Sequence, residues 1–214
     1  MIMNKVDALY TNVVGPNIQN FDGSQNRNEF RDCIEYLNSR LQETVSKEVW
    51  FLEIGAYKGL WALAMSILCQ QNNKTLRYVT VTWINHDEAN QDIFSTRRYF
   101  EESGLSFQLI DANSSLPDTV AQVKTARSQY DFVFIDGDHS FKGVMADISN
   151  YAGLATELVL FHDINTVSCG VRKAIDASKM PINLEISYGN IMGIGIRNCR
   201  VDTPVPRKKR FSFF

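Results

Sequence analysis

Ionisable side chains follow two apolar segments of this sequence, at the points where the segments end. Asp136, Asp138 and His139 follow the run DFVFI, and His162 and Asp163 follow the run ELVLF. Nearly continuous apolar runs of this length are typical of parallel strands that are buried on both faces. Because adjacent parallel strands lie about 4.8 Å apart, Asp136, His162 and Asp163 should converge at one edge of the sheet. Two carboxylates and an imidazole form a suitable donor set for a divalent cation.

Helix capping is the alternative explanation for these polar residues. Asp138 stands just before Ser140, where a helix is predicted to begin, and Asp is common at helix starts. A cap or loop role explains Asp138 as well as a functional role does. His162 and Asp163 could likewise cap the loop that follows them. However, two neighbouring strands that both end in ionisable groups favour chemistry over capping alone.

A glycine turn forms the second feature, in the segment FLEIGAYKGLWALAMS. Glu53 lies near the end of a predicted strand, and Gly55 and Gly59 occupy the turn that opens the next helix. Glycine adopts positive φ and lets a ligand approach the main chain, while the helix N-terminus offers N–H groups to a polar ligand. The G-x-x-x-G spacing differs from the G-x-G-x-x-G of dinucleotide sites. It therefore favours a ligand without a pyrophosphate.

The pattern of the whole chain predicts the sheet that would bring these residues together. A helical face of apolar residues at spacings of three and four begins near residue 28. After it, five short apolar or β-branched runs are each followed by a longer helical stretch, and two further runs close the pattern. We therefore expect an α/β fold, a Rossmann-like doubly wound and mostly parallel sheet of about seven strands with helices on both faces.

Composition and charge limit the domain organisation and the partners. The 214 residues suit one domain, and 44% are hydrophobic, which is ordinary for a globular protein. We expect an irregular lead-in over residues 1–25, the domain over 26–199, and a basic, proline-containing tail over 200–214. The formal net charge is -2, so no basic field exists to hold nucleic acid, and a nucleic-acid partner is disfavoured.

Cysteines and hydropathy exclude further classes of site. The four cysteines form no C-x-x-C pair, so neither a zinc knuckle nor a dithiol redox motif is present, and buried reduced thiols are expected. No segment approaches the roughly 18 apolar residues of a membrane span. We expect a soluble, cytoplasmic protein with no membrane partner.

The block over residues 131–164 resembles a known family. Ile135–Val144 reads I-D-G-D-H-S-F-K-G-V, F-H-D follows at positions 161–163, and GIGIRN at positions 193–198 forms the last of the predicted strands. With the E-x-G-x-x-x-G turn, which resembles motif I, this pattern resembles the class I S-adenosylmethionine-dependent methyltransferases. Within them it is most similar to the metal-dependent O-methyltransferase and cephalosporin-hydroxylase-like group. The resemblance implies a methyltransferase domain over residues 26–199.

The resemblance also implies an activity and its residues. S-adenosylmethionine would methylate a hydroxyl of a small-molecule or glycan acceptor, in a chain that could form a homo-oligomer as relatives often do. Asp136, His162 and Asp163 would bind a divalent metal, with Mg²⁺ as the first expectation and Mn²⁺ left open by the histidine. His139 would act as the general base, with Asp136 as its catalytic partner. The implied cofactor-binding residues are Glu53, Gly55, Ala56, Tyr57, Gly59, Thr82, Asn113, Ser114 and Asp136.

Two positions depart from the family pattern and keep other hypotheses open. Thr82 stands where an acidic residue should hold the cofactor ribose, unless Asp87 reaches back to do so, and Asn113 replaces the usual Asp at the adenine. A relative that binds a cofactor or partner without turnover is therefore the second hypothesis. A metal-dependent phosphoesterase is the third, disfavoured because such enzymes need several histidines and the chain has three: His86, His139 and His162.

Overall fold

The computed structural model describes residues 26–84, 93–189 and 192–200 of the chain. The predicted lead-in over 1–25, the tail from residue 201 onward, and the loop residues His86 and Asp87 lie outside the described residues.

The described residues form seven strands and six α-helices, which alternate along the chain as far as β6. The strands are β1 (Glu48–Ile54), β2 (Thr75–Val81), β3 (Ser106–Ile110), β4 (Tyr130–Ile135), β5 (Ala155–Phe161), β6 (Leu184–Ile186) and β7 (Ile194–Asn198). The helices are α1 (Arg27–Glu43), α2 (Leu60–Gln71), α3 (Ile93–Glu102), α4 (Pro117–Ala126), α5 (Phe141–Tyr151) and α6 (Val171–Ala177), and a 3₁₀ turn (Ala152–Leu154) follows α5.

The strands form a single sheet in the order β3-β2-β1-β4-β5-β7-β6. The first five are parallel, and β7 runs antiparallel between β5 and β6. The predicted Rossmann-like, mostly parallel sheet with a closing strand pair is confirmed. The order of the strands reverses between β1 and β4, and in such sheets ligands bind in the crevice at this switch point.

Helices cover both faces of the sheet. On one face, α1, α2 and α3 contribute Phe30, Trp61 and Phe100 to the core, and on the other α4, α5 and α6 contribute Val123, Ile148 and Ala174. The two faces alternate along β4, where Phe132 and Phe134 pack on the α2 side and Val133 and Ile135 on the α5 side. Because both faces are covered, the strand is apolar from Phe132 to Ile135, and the next polar residue is Asp136, where the strand ends.

The first helix confirms the apolar periodicity read from the sequence. Its apolar residues at spacings of three and four are at most 1% exposed: Phe30, Cys33, Ile34, Leu37 and Leu41. Asn26 caps the helix, since its side-chain oxygen accepts hydrogen bonds from the N–H groups of Asn28 and Glu29. Within the described residues, no helix combines the length and the apolar character needed to cross a membrane.

Candidate functional site

A cavity of about 600 Å³ lies at the carboxyl ends of the strands, at the switch point between β1 and β4. Loops after β1, β2, β3, β4 and β5 all contribute to its wall. The predicted site residues that line it are Glu53, Gly55, Ala56, Tyr57, Thr82, Asn113, Ser114, Asp136, His139, His162 and Asp163. Gly59 is the one predicted residue that does not line the cavity, and a Cβ at this position would meet Thr96 of α3.

The glycine turn after β1 depends on glycine at both predicted positions. Gly55 and Gly59 have φ of 88° and 83°, a left-handed conformation that disfavours other residues. A Cβ on Gly55 would lie 2.1 Å from the main-chain oxygen of Asp136, and one on Gly59 would lie 2.7 Å from the Thr96 side chain. The turn is therefore packed directly against the end of β4 on one side and against α3 on the other.

Thr82, which follows the last residue of β2, stabilises the glycine turn through a hydrogen bond. Its hydroxyl oxygen accepts a hydrogen bond of 2.9 Å from the Ala56 N–H, and the side chain is buried. Sequence reasoning assigned Thr82 only to the cofactor ribose and missed this contact. The sequence carries no signal for it, because it follows from the parallel register that places Ile54 beside Val81. The Thr82 O–H lies 3.5 Å from the Thr80 hydroxyl oxygen, a long contact that it can exchange for a hydrogen bond to a ligand.

Glu53 is a buried acid on the wall of the cavity, only 1% exposed. Burial raises its pKa to about 8, and the charge of Asp136 adds to the rise, while a 2.6 Å hydrogen bond from the Tyr78 hydroxyl opposes it. At neutral pH Glu53 is therefore mostly protonated. Tyr78 was absent from the predicted site, since its place on β2 reads as an ordinary core aromatic.

Four side chains converge at the ends of β4 and β5, and we call Asp136, His139, His162 and Asp163 the strand-end cluster. The Nε2 atom of His139 lies 3.1 Å from Asp136 Oδ1 and 3.5 Å from Asp163 Oδ2. The Nδ1 atom of His162 lies 3.2 Å and 3.4 Å from the same two oxygens. Two imidazole nitrogens thus alternate with two carboxylate oxygens.

The charges in the strand-end cluster stabilise one another. Burial opposes a charge on His162, but Asp136 and Asp163 outweigh it and raise the pKa of His162 to about 10. Burial would likewise raise the pKa values of both carboxyls, yet the neighbouring histidines lower them below the ordinary range. The hydrogen bond to Asp136 raises the pKa of His139. Without a metal, the cluster is an arrangement of two partly buried carboxylates held by the His162 imidazolium and by a hydrogen bond between Asp136 and His139.

The inner part of this cluster fits a divalent cation. Asp136, His162 and Asp163, which we call the inner group, offer ligand atoms that all lie within 4.8 Å of one another. Asp163 has a φ of 55°, and its Oδ1 accepts a hydrogen bond from Thr166, which leaves Oδ2 to face the histidines. His162 presents Nδ1 to both carboxylates, and within the described part of the chain its buried Nε2 has no hydrogen-bond partner.

Asp138 organises the start of α5. Its two oxygens accept hydrogen bonds from the main-chain N–H and the hydroxyl of Ser140, at 2.8 and 2.9 Å. The Ser140 hydroxyl oxygen in turn caps the helix by accepting a hydrogen bond from the Gly143 N–H. The capping interpretation of Asp138 therefore describes its contacts, although the residue also lines the cavity.

The loop after β3 supplies Asn113 and Ser114. The side-chain oxygen of Asn113 accepts hydrogen bonds from the N–H and hydroxyl of Ser115, so its NH₂ group is left to meet a ligand. The Ser114 hydroxyl donates a 2.7 Å hydrogen bond to Asp147, whose pKa burial raises to about 6. Sequence reasoning missed Asp147, because an Asp in the middle of a helix normally faces solvent.

Comparison with known proteins places these residues in a family. The model of a family described as a methyltransferase domain matches residues 52–164, more than half of the chain. The chain belongs to this methyltransferase family. The matched span runs from β1 to the loop after β5 and contains every residue of the predicted site. A comparison with curated proteins found no match.

Solved structures share the fold of this methyltransferase domain. The O-methyltransferase NovP has a TM-score of 0.58 at 11% identity, over 92% of this chain and 100% of NovP. Cofactor-bound Rv0187 from MTB also has a TM-score of 0.58, at 13% identity, over 93% of this chain and 89% of its own. The SAH-bound methyltransferase PaMTH1 from Podospora anserina has a TM-score of 0.50 at 16% identity, over 92% and 87% of the two chains. At these identities the similarity establishes the fold, which is that of class I methyltransferases.

Proposed function

We propose that this chain transfers the methyl group of S-adenosylmethionine to a hydroxyl group of a small molecule or sugar, with the help of a divalent metal. One observation carries the proposal: the strand-end cluster and the glycine turn face a single cavity at the switch point of the sheet. Methyl transfer needs a donor and an acceptor held together in one geometry, and one cavity with two different walls provides for this.

The wall formed by the glycine turn suits the cofactor. The cavity volume of about 600 Å³ falls within the usual range for small-molecule sites. The first turn of α2 has no side-chain cap, so its N–H groups suit the carboxylate of a methionine moiety. Thr82 and Asn113 can each donate a hydrogen bond to the ribose and the adenine. The fold relatives support the same cofactor, since PaMTH1 was solved with SAH and Rv0187 with its cofactor.

The wall formed by the strand-end cluster suits the acceptor hydroxyl. The inner group would hold the divalent metal, which supplies Lewis-acid activation of the acceptor oxygen when bound. The His139 side chain is 41% exposed, so a substrate can reach it. In the neutral tautomer in which Nε2 donates a hydrogen bond to Asp136, Nδ1 carries the lone pair that would take the proton of the hydroxyl. Asp136 thereby positions the base as well as binding metal.

Isothermal titration calorimetry with S-adenosylmethionine tests the cofactor directly. We expect binding in the micromolar range, and an absence of heat at millimolar cofactor would refute the proposal. Titration of Mg²⁺ and Mn²⁺ into the cofactor-saturated protein then tests the inner group. Asp136→Ala should abolish metal binding, whereas Asp138→Ala, which removes a helix-start contact nearby, should retain it.

A cofactor-binding protein without turnover is the second candidate, because the Thr82 oxygen already accepts a hydrogen bond from the glycine turn. Formation of S-adenosylhomocysteine with a panel of phenolic and sugar acceptors separates the two candidates. A methyltransferase should form product with at least one acceptor and lose this turnover in Asp136→Ala. A binding protein should retain its cofactor in both forms and form no product with any acceptor.

A further inference from the structure

The loop after β5 brings a thiol to the strand-end cluster. The Cys169 N–H donates a hydrogen bond to Thr166 O, which closes a tight turn, and the Gly170 N–H donates a 2.7 Å hydrogen bond to His139 O. A Cβ on Gly170 would lie only 2.0 Å from the main-chain nitrogen of Phe141. The loop is therefore pressed against the residues that carry His139, and Cys169 is held beside them.

Three different donor types meet at this place. The ligand atoms of His139, Asp163 and Cys169 all lie within 4.8 Å of one another. His139 Nε2 and Asp163 Oδ2 are 3.5 Å apart, close to the roughly 3.4 Å that separates two ligands of one tetrahedral zinc ion. The Cys169 Sγ atom lies within 4.8 Å of the ligand atoms of both residues, so the three side chains can supply three ligands to one such ion.

We propose that His139, Asp163 and Cys169 form an outer metal site, which shares only Asp163 with the inner group and takes Zn²⁺ or a similar thiophilic ion. Thiolate and imidazole ligands select such ions over Mg²⁺, which prefers oxygen ligands. His139 and Asp163 also line the cavity, so a fourth ligand can come from solvent. As the ion binds, the thiol and the Nε2 atom of His139 release their protons to solvent.

The outer site would regulate the methyl transfer proposed above, and this part of the inference rests on that proposed function. An ion on His139 removes the tautomer in which Nε2 donates to Asp136 and Nδ1 carries the lone pair. It also engages Asp163, which belongs to the inner group as well. Zn²⁺ is therefore expected to inhibit turnover, while Mg²⁺ or Mn²⁺ in the inner group supports it.

Cobalt substitution tests the site on the full chain without any need for turnover. Co²⁺ added to the wild-type protein should give the intense near-ultraviolet absorption of a thiolate-to-cobalt bond, and Zn²⁺ should abolish it, whereas excess Mg²⁺ should not. Cys169→Ser should lose this absorption. Cys199→Ser is the matched control, since Cys199 is also a partly buried free thiol but follows β7, where its N–H is bonded to Glu157. This control should keep the full absorption.

Two further outcomes decide the inference. His139→Gln should weaken Co²⁺ binding at least tenfold, and Cys169→Ala should reproduce the Cys169→Ser result while its circular dichroism confirms the fold. Co²⁺ binding without thiolate absorption would mean that the ion enters only the inner group, and this would overturn the proposal. Thiolate absorption that survives in both Cys169 variants would also overturn it. If the chain does not bind S-adenosylmethionine, the calorimetry will show no heat of binding. The cobalt absorption still tests the outer metal site in that case, because it requires neither cofactor nor turnover.

Discussion

His162 is the most tightly held side chain of the strand-end cluster. It is 2% exposed, and its Nδ1 lies between two carboxylate oxygens. A buried ion pair that loses one partner leaves an uncompensated charge, so the residues of the inner group depend on one another. His139 differs, because its greater exposure leaves it free to meet a substrate.

At the residue scale, His139→Gln tests the proposed base. The substitution keeps a polar side chain but removes the group that accepts the proton, so we expect turnover to fall by about 10²- to 10⁴-fold. Cofactor affinity by calorimetry should stay within twofold, because His139 lies on the acceptor wall. Lys142→Gln, on the exposed first turn of α5, is the control and should turn over normally. Unchanged turnover in His139→Gln would rule out its role as base.

Glu53→Gln tests the buried acid through the pH dependence of stability. The pKa of Glu53 is about 8 in the folded chain against an ordinary value of 4.5, so the folded state binds the proton more tightly. The resulting stability is complete below pH 4.5 and is lost as the pH rises through 8. At 1.36 kcal/mol per pH unit, the loss is on the order of 5 kcal/mol.

Urea denaturation at pH 5 and pH 8.5 measures this effect. The free energy of unfolding of the wild type should fall between the two values, and Glu53→Gln, which keeps an acceptor for the Tyr78 hydroxyl, should reduce the fall. Glu48→Gln is the control. Glu48 lies at the start of the same strand with a side chain that is 43% exposed, and Arg77 lowers its pKa, so Glu48 carries no such proton. Equal pH dependence in wild type and Glu53→Gln would contradict the assignment.

At the scale of elements, the site depends on how closely neighbouring loops approach one another. The turn after β1 rests on the end of β4 through Gly55, and the loop after β5 rests on the start of α5 through Gly170. Both approaches are closer than any side chain would allow. Direct contacts between main-chain segments therefore position the two walls of the cavity. We expect these walls to move little relative to each other.

Gly55→Ala tests how strongly the close packing of the glycine turn against the end of β4 contributes to stability. Alanine at a left-handed position costs about 1–2 kcal/mol, and the clash with the main-chain oxygen of Asp136 should add about 1–3 kcal/mol. Gly104→Ala is the matched control, because Gly104 also has a positive φ, of 66°, but a Cβ there meets nothing within 4 Å. Urea denaturation should therefore give a larger loss for Gly55→Ala. Equal losses would mean that the turn moves away freely from β4.

At the scale of the whole molecule, the cavity is assembled from the ends of five parallel strands. No strand or helix makes it alone, so a ligand that binds there stabilises the entire domain. This coupling makes the thermal unfolding of the full chain a measure of occupancy.

Saturating S-adenosylmethionine should raise the melting temperature. A ligand at a hundred times its dissociation constant stabilises by about 2.7 kcal/mol, which corresponds to a rise of roughly 5–10 °C for a domain of this size. NAD⁺ is the control, because the G-x-x-x-G turn lacks the glycine that admits a pyrophosphate, and it should give no shift. Differential scanning calorimetry measures both melting temperatures. Equal rises in melting temperature with S-adenosylmethionine and with NAD⁺ would argue against a selective cofactor site.

Sequence patterns alone predicted the sheet, the glycine turn and the convergence of Asp136, His162 and Asp163. Each of these follows from residues that are close together in the sequence. Apolar periodicity identifies the strands and helices, and glycine marks the turn at Gly55 because it tolerates a positive φ. Parallel strands then bring their carboxyl ends to one edge of the sheet. The resemblance of residues 131–164 to methyltransferases followed from the same segments. The family match confirms a methyltransferase domain, and the metal-dependent O-methyltransferase group stays a prediction.

Tertiary structure alone decided the contacts between segments that are distant in the chain. Thr82 meets Ala56, Tyr78 meets Glu53 and Ser114 meets Asp147 across separations of 26, 25 and 33 residues. Cys169 reaches His139 only because its loop folds back onto the start of α5. Strand register and loop packing set these contacts, and neither is encoded in the local periodicity of hydrophobic residues.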